Sequence, residues 1–147
     1  MEPLNTPTYA ALLGGGLLIL QILLMLSVGT YRSGAKKGVG VDGDTKLERL
    51  VRRHGNLAEN AAIFIVVLAL YELIFGQTLI ALGTASVFFA ARLLHAFGFS
   101  SLSGSHLVDA KGAGSKFVLM RASGAGLTAL ASLVIAIALI VGIATGA

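Results

Sequence analysis

The chain has 147 residues, of which 56% are hydrophobic and only 12% charged, and its mean hydropathy is +0.87. An ordinary soluble domain carries about 25% charged residues, so this chain lacks the polar surface that a soluble globule needs. A formal charge of +4 would invite a nucleic-acid partner in a soluble protein; here the position of the charges matters more than their sum, and no nucleic acid is expected. The absence of cysteine excludes disulfides, a thiol nucleophile and thiolate metal sites.

No Asp, Glu, Lys or Arg occurs in the 29 residues between Glu2 and Arg32, the 19 between Glu72 and Arg92, or the 26 from Ala122 onward. Apolar runs of about 18 or more residues cross a bilayer core as helix. The first predicted span covers about 9–30, interrupted only by Gln21; with Glu2 in place of a basic leader, it reads as a retained span rather than a signal peptide. The glycine-rich stretch 33–44 reads as loop. The second span enters near Asn56 and leaves near Phe75. Its helix is expected to start earlier, because Thr45 and Glu48 have the spacing of a capping box. A helix from Lys46 to Phe75 would be about 45 Å long, longer than a ~30 Å hydrocarbon core, so its first turns should carry Arg49, Arg52 and Arg53 outside the hydrocarbon. A tight turn at Gly76-Gln77 leads to the third span, about 78–99. A loop at 100–116 leads to the fourth, about 117–143. The predicted fold is all-α: an integral membrane four-helix bundle forming a single domain over 1–147.

An even number of spans places both termini and the 76–77 turn on one side and the two longer loops on the other. All 11 Lys and Arg residues then belong to the loop side and its flanks, while Glu2 and Glu72 mark the opposite side. The positive-inside rule makes both longer loops cytoplasmic. Tyr9, Tyr31 and Tyr71 fall at span ends, where amphipathic rings favour the headgroup layer. A bacterial inner membrane is the expected location.

Polar groups inside spans are costly and therefore informative. Arg52, Asn56 and Glu59 stand at i, i+4 and i+7 on one face of the second helix, with Asn60 beside them. Arg92 and His95 share a face of the third helix with Phe99, and the fourth opens with Lys116 and Arg121. All lie toward the loop side, which points to one cation-rich pocket suited to an anionic ligand. Simpler roles compete residue by residue. Arg49, Arg52, Arg53 and Lys116 also fit interfacial anchors, Arg92 with Glu59 fits a structural ion pair between helices, and His95 alone fits a hydrogen-bonded packing residue. His54, His95 and His106 have no metal-ligand spacing, so no metal is expected.

The string Arg52-Arg53-His54-Gly55-Asn56-Leu57-Ala58-Glu59-Asn60, with Arg92-Leu-Leu-His95 and Arg121, closely resembles the MAPEG family of membrane-associated proteins in eicosanoid and glutathione metabolism. The resemblance runs from about Arg32 onward and is strongest for microsomal glutathione transferases. It implies a homotrimer with glutathione as cosubstrate, bound between neighbouring subunits near the cytoplasmic side. Carried over, Arg32, Arg52, Asn56, Glu59, Arg92 and His95 belong to the glutathione-binding set, and Arg121 matches the arginine credited with stabilising the thiolate. Phe99 stands where several members have tyrosine, and Gly55 where the prostaglandin synthase has a basic residue.

The implied activity is glutathione transfer, with peroxidase activity as an extension, onto a lipophilic electrophile dissolved in membrane lipid. The alternative is a non-catalytic lipid- or glutathione-binding scaffold of the same fold. A channel would need polar residues along whole spans, whereas the halves away from the loop side are almost wholly Ala, Leu, Ile, Val and Gly.

Overall fold

The computed structural model describes residues 5–102 and 113–146. Glu2 lies outside them, as do His106, Lys111 and most of the 100–116 loop. Four helices form the bundle: α1 (Thr8–Ala35), α2 (Thr45–Phe75), α3 (Leu79–Gly98) and α4 (Ala113–Thr145). Each is long and apolar enough to cross a membrane. The expected spans are all present, but α1, α2 and α4 run past them, because helix continues beyond the hydrocarbon wherever nothing in the sequence breaks it. Arg32 is thereby drawn into the last turn of α1.

The most extensive packing joins α1 to α2 and α3 to α4. Core positions recur at helical spacing: Leu13, Leu17 and Leu24 on α1, Leu57, Phe64 and Leu68 on α2, Ala81, Ala85 and Phe88 on α3, and Ala131 and Ile135 on α4. Phe64 and Phe88 stack with centroids 3.8 Å apart where α2 meets α3. The opposite faces are unusually apolar: Leu12, Ile19, Ile63, Leu133 and Ile140 are all well exposed. Such a surface is at home in lipid or against another subunit, not in water.

At the end bearing the 76–77 turn, a carboxylate organises the bundle. Glu72 is fully buried and accepts from the backbone N–H groups of Tyr9 (3.0 Å) and Ala10 (2.7 Å). These are orphan donors of the first turn of α1, and a negative charge there also opposes the positive end of the helix dipole. The turn itself needs Gly76, whose φ of 76° suits a residue without Cβ. Gln77 Nε2 then donates to Thr8 Oγ1 at 2.7 Å, so α1 is tied to both sides of the turn.

At the basic end α2 begins one residue earlier than the capping-box spacing predicts. Asp44 is the N-cap, its side chain accepting from the Leu47 N–H at 3.0 Å. Tyr31 donates to the same carboxylate from α1, and Lys37 lies 3.6 Å away. Partway down, Arg53 Nη2 donates to Ser27 Oγ at 3.1 Å, and Gln21 Nε2 meets His54 Nε2 at 2.6 Å. Gln21, the residue interrupting the first span, therefore serves as a cross-link to α2.

Replacing Glu72 by Leu strips the acceptor from two backbone donors and should destabilise the protein by about 2–4 kcal/mol, read as a lower unfolding temperature in detergent. An unchanged transition would show that water or other groups already satisfy them. Asp44 gives a pH test. The Leu47 N–H first, then the Tyr31 hydroxyl and Lys37, hold its carboxyl below the ordinary 3.8, against partial desolvation. A depressed folded-state pKa stabilises fully above the unfolded value and is lost as pH falls through the folded one. Amide protection in the first turn of α2 should therefore be level from pH 7 to 5 and decline below about 4. Asp44→Asn, which still caps, should remove that decline.

Candidate functional site

One cavity of about 510 Å3 at the basic end gathers residues from three helices: Glu48, Arg49, Arg52 and Asn56 from α2, His95 and Phe99 at the end of α3, and Arg121 from α4. Its size falls in the ~300–1,000 Å3 range of small-molecule sites. The side chains arrive there for separable reasons.

The α2 residues share one helix face, since Glu48, Arg52 and Asn56 recur every fourth position. Arg49 is fixed from across the bundle: its Nη1 donates to the carbonyl oxygens of Phe99 (3.0 Å) and Ser100. These carbonyls lie at the end of α3, where acceptors are orphaned and the helix dipole is negative. An arginine of α2 thus caps α3. That contact stands beside the interfacial-anchor role the sequence allows for Arg49.

Arg121 is placed by two glycines. A Cβ on Gly98 would lie 2.7 Å from Arg121 N, and one on Gly124 would lie 2.7 Å from His95 N and 2.8 Å from Ala91 O. The backbones of α3 and α4 approach that closely only because neither glycine has a side chain. The approach brings the Arg121 guanidinium carbon to 5.7 Å from the Phe99 ring centroid, within cation–π range. His95 packs against the same ring at 5.2 Å. Phe99 is therefore a platform between an imidazole and a guanidinium, a task that needs no hydroxyl.

Of the residues predicted from sequence, Arg52, Asn56, His95 and Arg121 come together in this cavity. Arg92 is buried just beneath it and donates from Nη1 to the Asn56 carbonyl oxygen at 3.2 Å. It braces the α2 backbone rather than pairing with Glu59. Glu59 is exposed on α2 and outside the cavity lining, its Oε1 only 3.7 Å from where a Gly55 Cβ would stand. Arg32 also stays outside, donating to Gly40 O at 2.9 Å and Gly38 O at 3.4 Å in the following loop.

Glu48 and Arg49 line the cavity although sequence reasoning did not place them there. In the sequence, Glu48 fits the capping box and Arg49 the interfacial anchors. The available signal was the i, i+4, i+8 series Glu48–Arg52–Asn56, which continues the pocket face one turn outward.

The model of the MAPEG family matches residues 10–141, from the first turn of α1 to the last turns of α4. No curated protein matches the chain.

Substituting Gly124 by Val should force α3 and α4 apart and cost about 1–3 kcal/mol, lowering the unfolding temperature by several degrees. Gly126, whose Cβ position is open, is the control: Gly126→Ala should be neutral or mildly stabilising, as alanine is the better helix former. Equal effects at the two sites would mean that the close approach is not what matters.

Proposed function

The chain belongs to the MAPEG family, and from that premise we propose that it is a membrane-bound glutathione transferase activating the thiolate for attack on lipophilic electrophiles. The observation that carries this reading is the charge inventory of one cavity: among the described residues it is lined by Arg49, Arg52 and Arg121 and by one acid, Glu48. Glutathione as its thiolate has the inverse inventory, two carboxylates and a sulfur anion with one ammonium. A lining in which the described cations outnumber the described acid complements that form better than the neutral thiol.

In the proposed reaction, Arg121 faces the sulfur. A free thiol near pKa 8.5 is only a few per cent thiolate at neutral pH, and a guanidinium alongside favours the charged form. Arginine suits the task because it stays protonated. The thiol proton leaves to water. The sulfur lone pair forms the new bond to the electrophilic carbon, and the leaving group departs with its electron pair. No side chain of the protein has to become a nucleophile, in keeping with a chain that has no cysteine.

Arg32 and Glu59 lie beyond the cavity lining. In the homotrimer that this reading includes, they act at the boundary between copies. The basic end faces the cytoplasm under the positive-inside rule.

The decisive measurement is difference absorbance near 240 nm on adding glutathione, with Arg121→Ala as the comparison. A thiolate band in the native protein should vanish in the variant, and conjugation should fall on the order of a hundredfold. Binding without the band in the native protein would favour a glutathione-binding scaffold. Absence of binding would refute the reading.

A further inference from the structure

Round α2 from that cavity, α1 and α2 enclose a second hollow at the basic end. Its volume is about 720 Å3, and its lining includes Ser27, Thr30, Tyr31 and Ala35 of α1 with Lys46 and Leu50 of α2. At about 100° per residue, Lys46, Leu50 and Arg53 share one face of α2, whereas Glu48, Arg52 and Asn56 form a different one. Ser27, Tyr31 and Gly34 likewise share a face of α1, and Arg32 is turned about 100° from Tyr31. The hollow is therefore built within one subunit, apart from the faces that carry Arg32 and Glu59.

Two cations meet there without a carboxylate to balance them. Arg53 is half-buried and donates from Nη2 to the hydroxyl of Ser27, at the inner end of the hollow, at 3.1 Å. Its Nε is buried without a hydrogen-bond partner, and among the described residues no acid pairs with it. Lys46 stands at the outer end, its ammonium 5.0 Å from the centroid of the Tyr31 ring. An aromatic face steadies a cation and leaves the ammonium donors free for an anion. Asp44, bonded to the Tyr31 hydroxyl, is already engaged: it caps α2 through the Leu47 N–H and pairs with Lys37 at 3.6 Å.

A partly buried guanidinium without a counter-ion is costly at membrane depth, so the chemistry calls for an anion. The surroundings indicate which kind. From Ser27 to Ala35 is about 12 Å of helix, spanning the level where headgroups meet hydrocarbon. Ala35 and Leu50 give the walls apolar surface beside the hydroxyls of Ser27 and Thr30, as suits a phosphate that carries an oily remainder. One turn inward of Ser27, the same face of α1 continues as Leu23 and Leu20, in line for an acyl chain. Lys46 and Arg53 are about 10 Å apart along the axis, an interval that two long side chains with a phosphate between them bridge.

We propose that this hollow binds an anionic phospholipid of the leaflet at the basic end, its phosphodiester held between Lys46 and Arg53 and its acyl chain laid along α1. A zwitterionic lipid, whose own cation competes for the phosphate, is discriminated against. Free phosphate shares the charge but not the apolar part. The inference does not depend on the glutathione reading.

The test uses the full-length protein in an uncharged detergent and reads lipid binding by native mass spectrometry. The probes are dioctanoyl-phosphatidylglycerol and dioctanoyl-phosphatidylcholine, which have equal chains. Native protein should bind the first on the order of tenfold more tightly, the scale of two cations near one anionic lipid. Lys46→Gln and Arg53→Gln should each remove most of that preference and leave phosphatidylcholine binding where it was. Lys36→Gln, just past α1 and outside the lining, should leave the preference intact. Equal affinity of native protein for the two lipids would overturn the proposal. Equal losses in Lys36→Gln and Lys46→Gln would overturn it too, since they would mean diffuse attraction by the whole basic end. A large excess of inorganic phosphate should leave phosphatidylglycerol bound; displacement would assign the hollow to free phosphate instead. Lys46 is exposed, so Lys46→Gln decides the matter if Arg53→Gln fails to fold.

Discussion

Two backbones, those of α3 and α4, come together at Gly98 and Gly124 with no room for a single methyl group between them. Most of what is chemically interesting depends on that contact. It sets the depth at which Arg121 emerges beside Phe99 and His95. In a bilayer, close approach of this kind also replaces the hydrophobic drive that lipid cannot supply between helices, since packing is what remains to hold spans together. The same feature therefore serves assembly of the bundle and construction of its pocket.

The two ends of the bundle treat polarity in opposite ways. Away from the loops, the buried carboxylate of Glu72 is met by two N–H groups of α1, and neighbouring Gln77 and Thr78 are bonded to Thr8 and Tyr71. Polar groups there are matched to one another inside the chain. At the basic end, Arg49, Arg92 and Asn56 tie α2 and α3 together through backbone carbonyls, while Glu48 and Arg52 are left facing a cavity. Residues that tie the helices together and residues that line the cavity thus alternate along α2, with helices rather than loops supplying the groups.

Much of this was legible in the sequence. Long uncharged runs fixed four helices and the sidedness of the charges, because crossing hydrocarbon constrains composition severely. The Arg52–Asn56 spacing marked the pocket face, because helical periodicity needs no knowledge of neighbours. What escaped was the identity of partners that are backbone atoms. Glu72 was read only as a marker of the acidic side, since the N–H groups it accepts from belong to no particular residue type. Arg49 escaped for the same reason: its partners are the carbonyls of Phe99 and Ser100, about fifty residues away along the chain. Gly98 and Gly124 could not be told from the other glycines among 19, because what distinguishes them is the register between two helices. Asp44 took the cap from Thr45 because its carboxylate also had Tyr31 and Lys37 within reach, a tertiary influence on a local motif.

The length of α2 has a further consequence. With 31 residues the helix is about 46 Å long, so a substantial part of it must project past a ~30 Å hydrocarbon layer. The cavity occupies the stretch from the first turn of α2 to Asn56, which places it where two phases meet. A water-soluble molecule can arrive from bulk solution in three dimensions, whereas an oily one arrives by lateral diffusion within a sheet. Under the proposed function, the relevant abundance of the lipophilic electrophile is its mole fraction in the lipid, not its molarity in the sample. Diluting the membrane with inert lipid would then slow encounters even when the total amounts of both molecules stay the same.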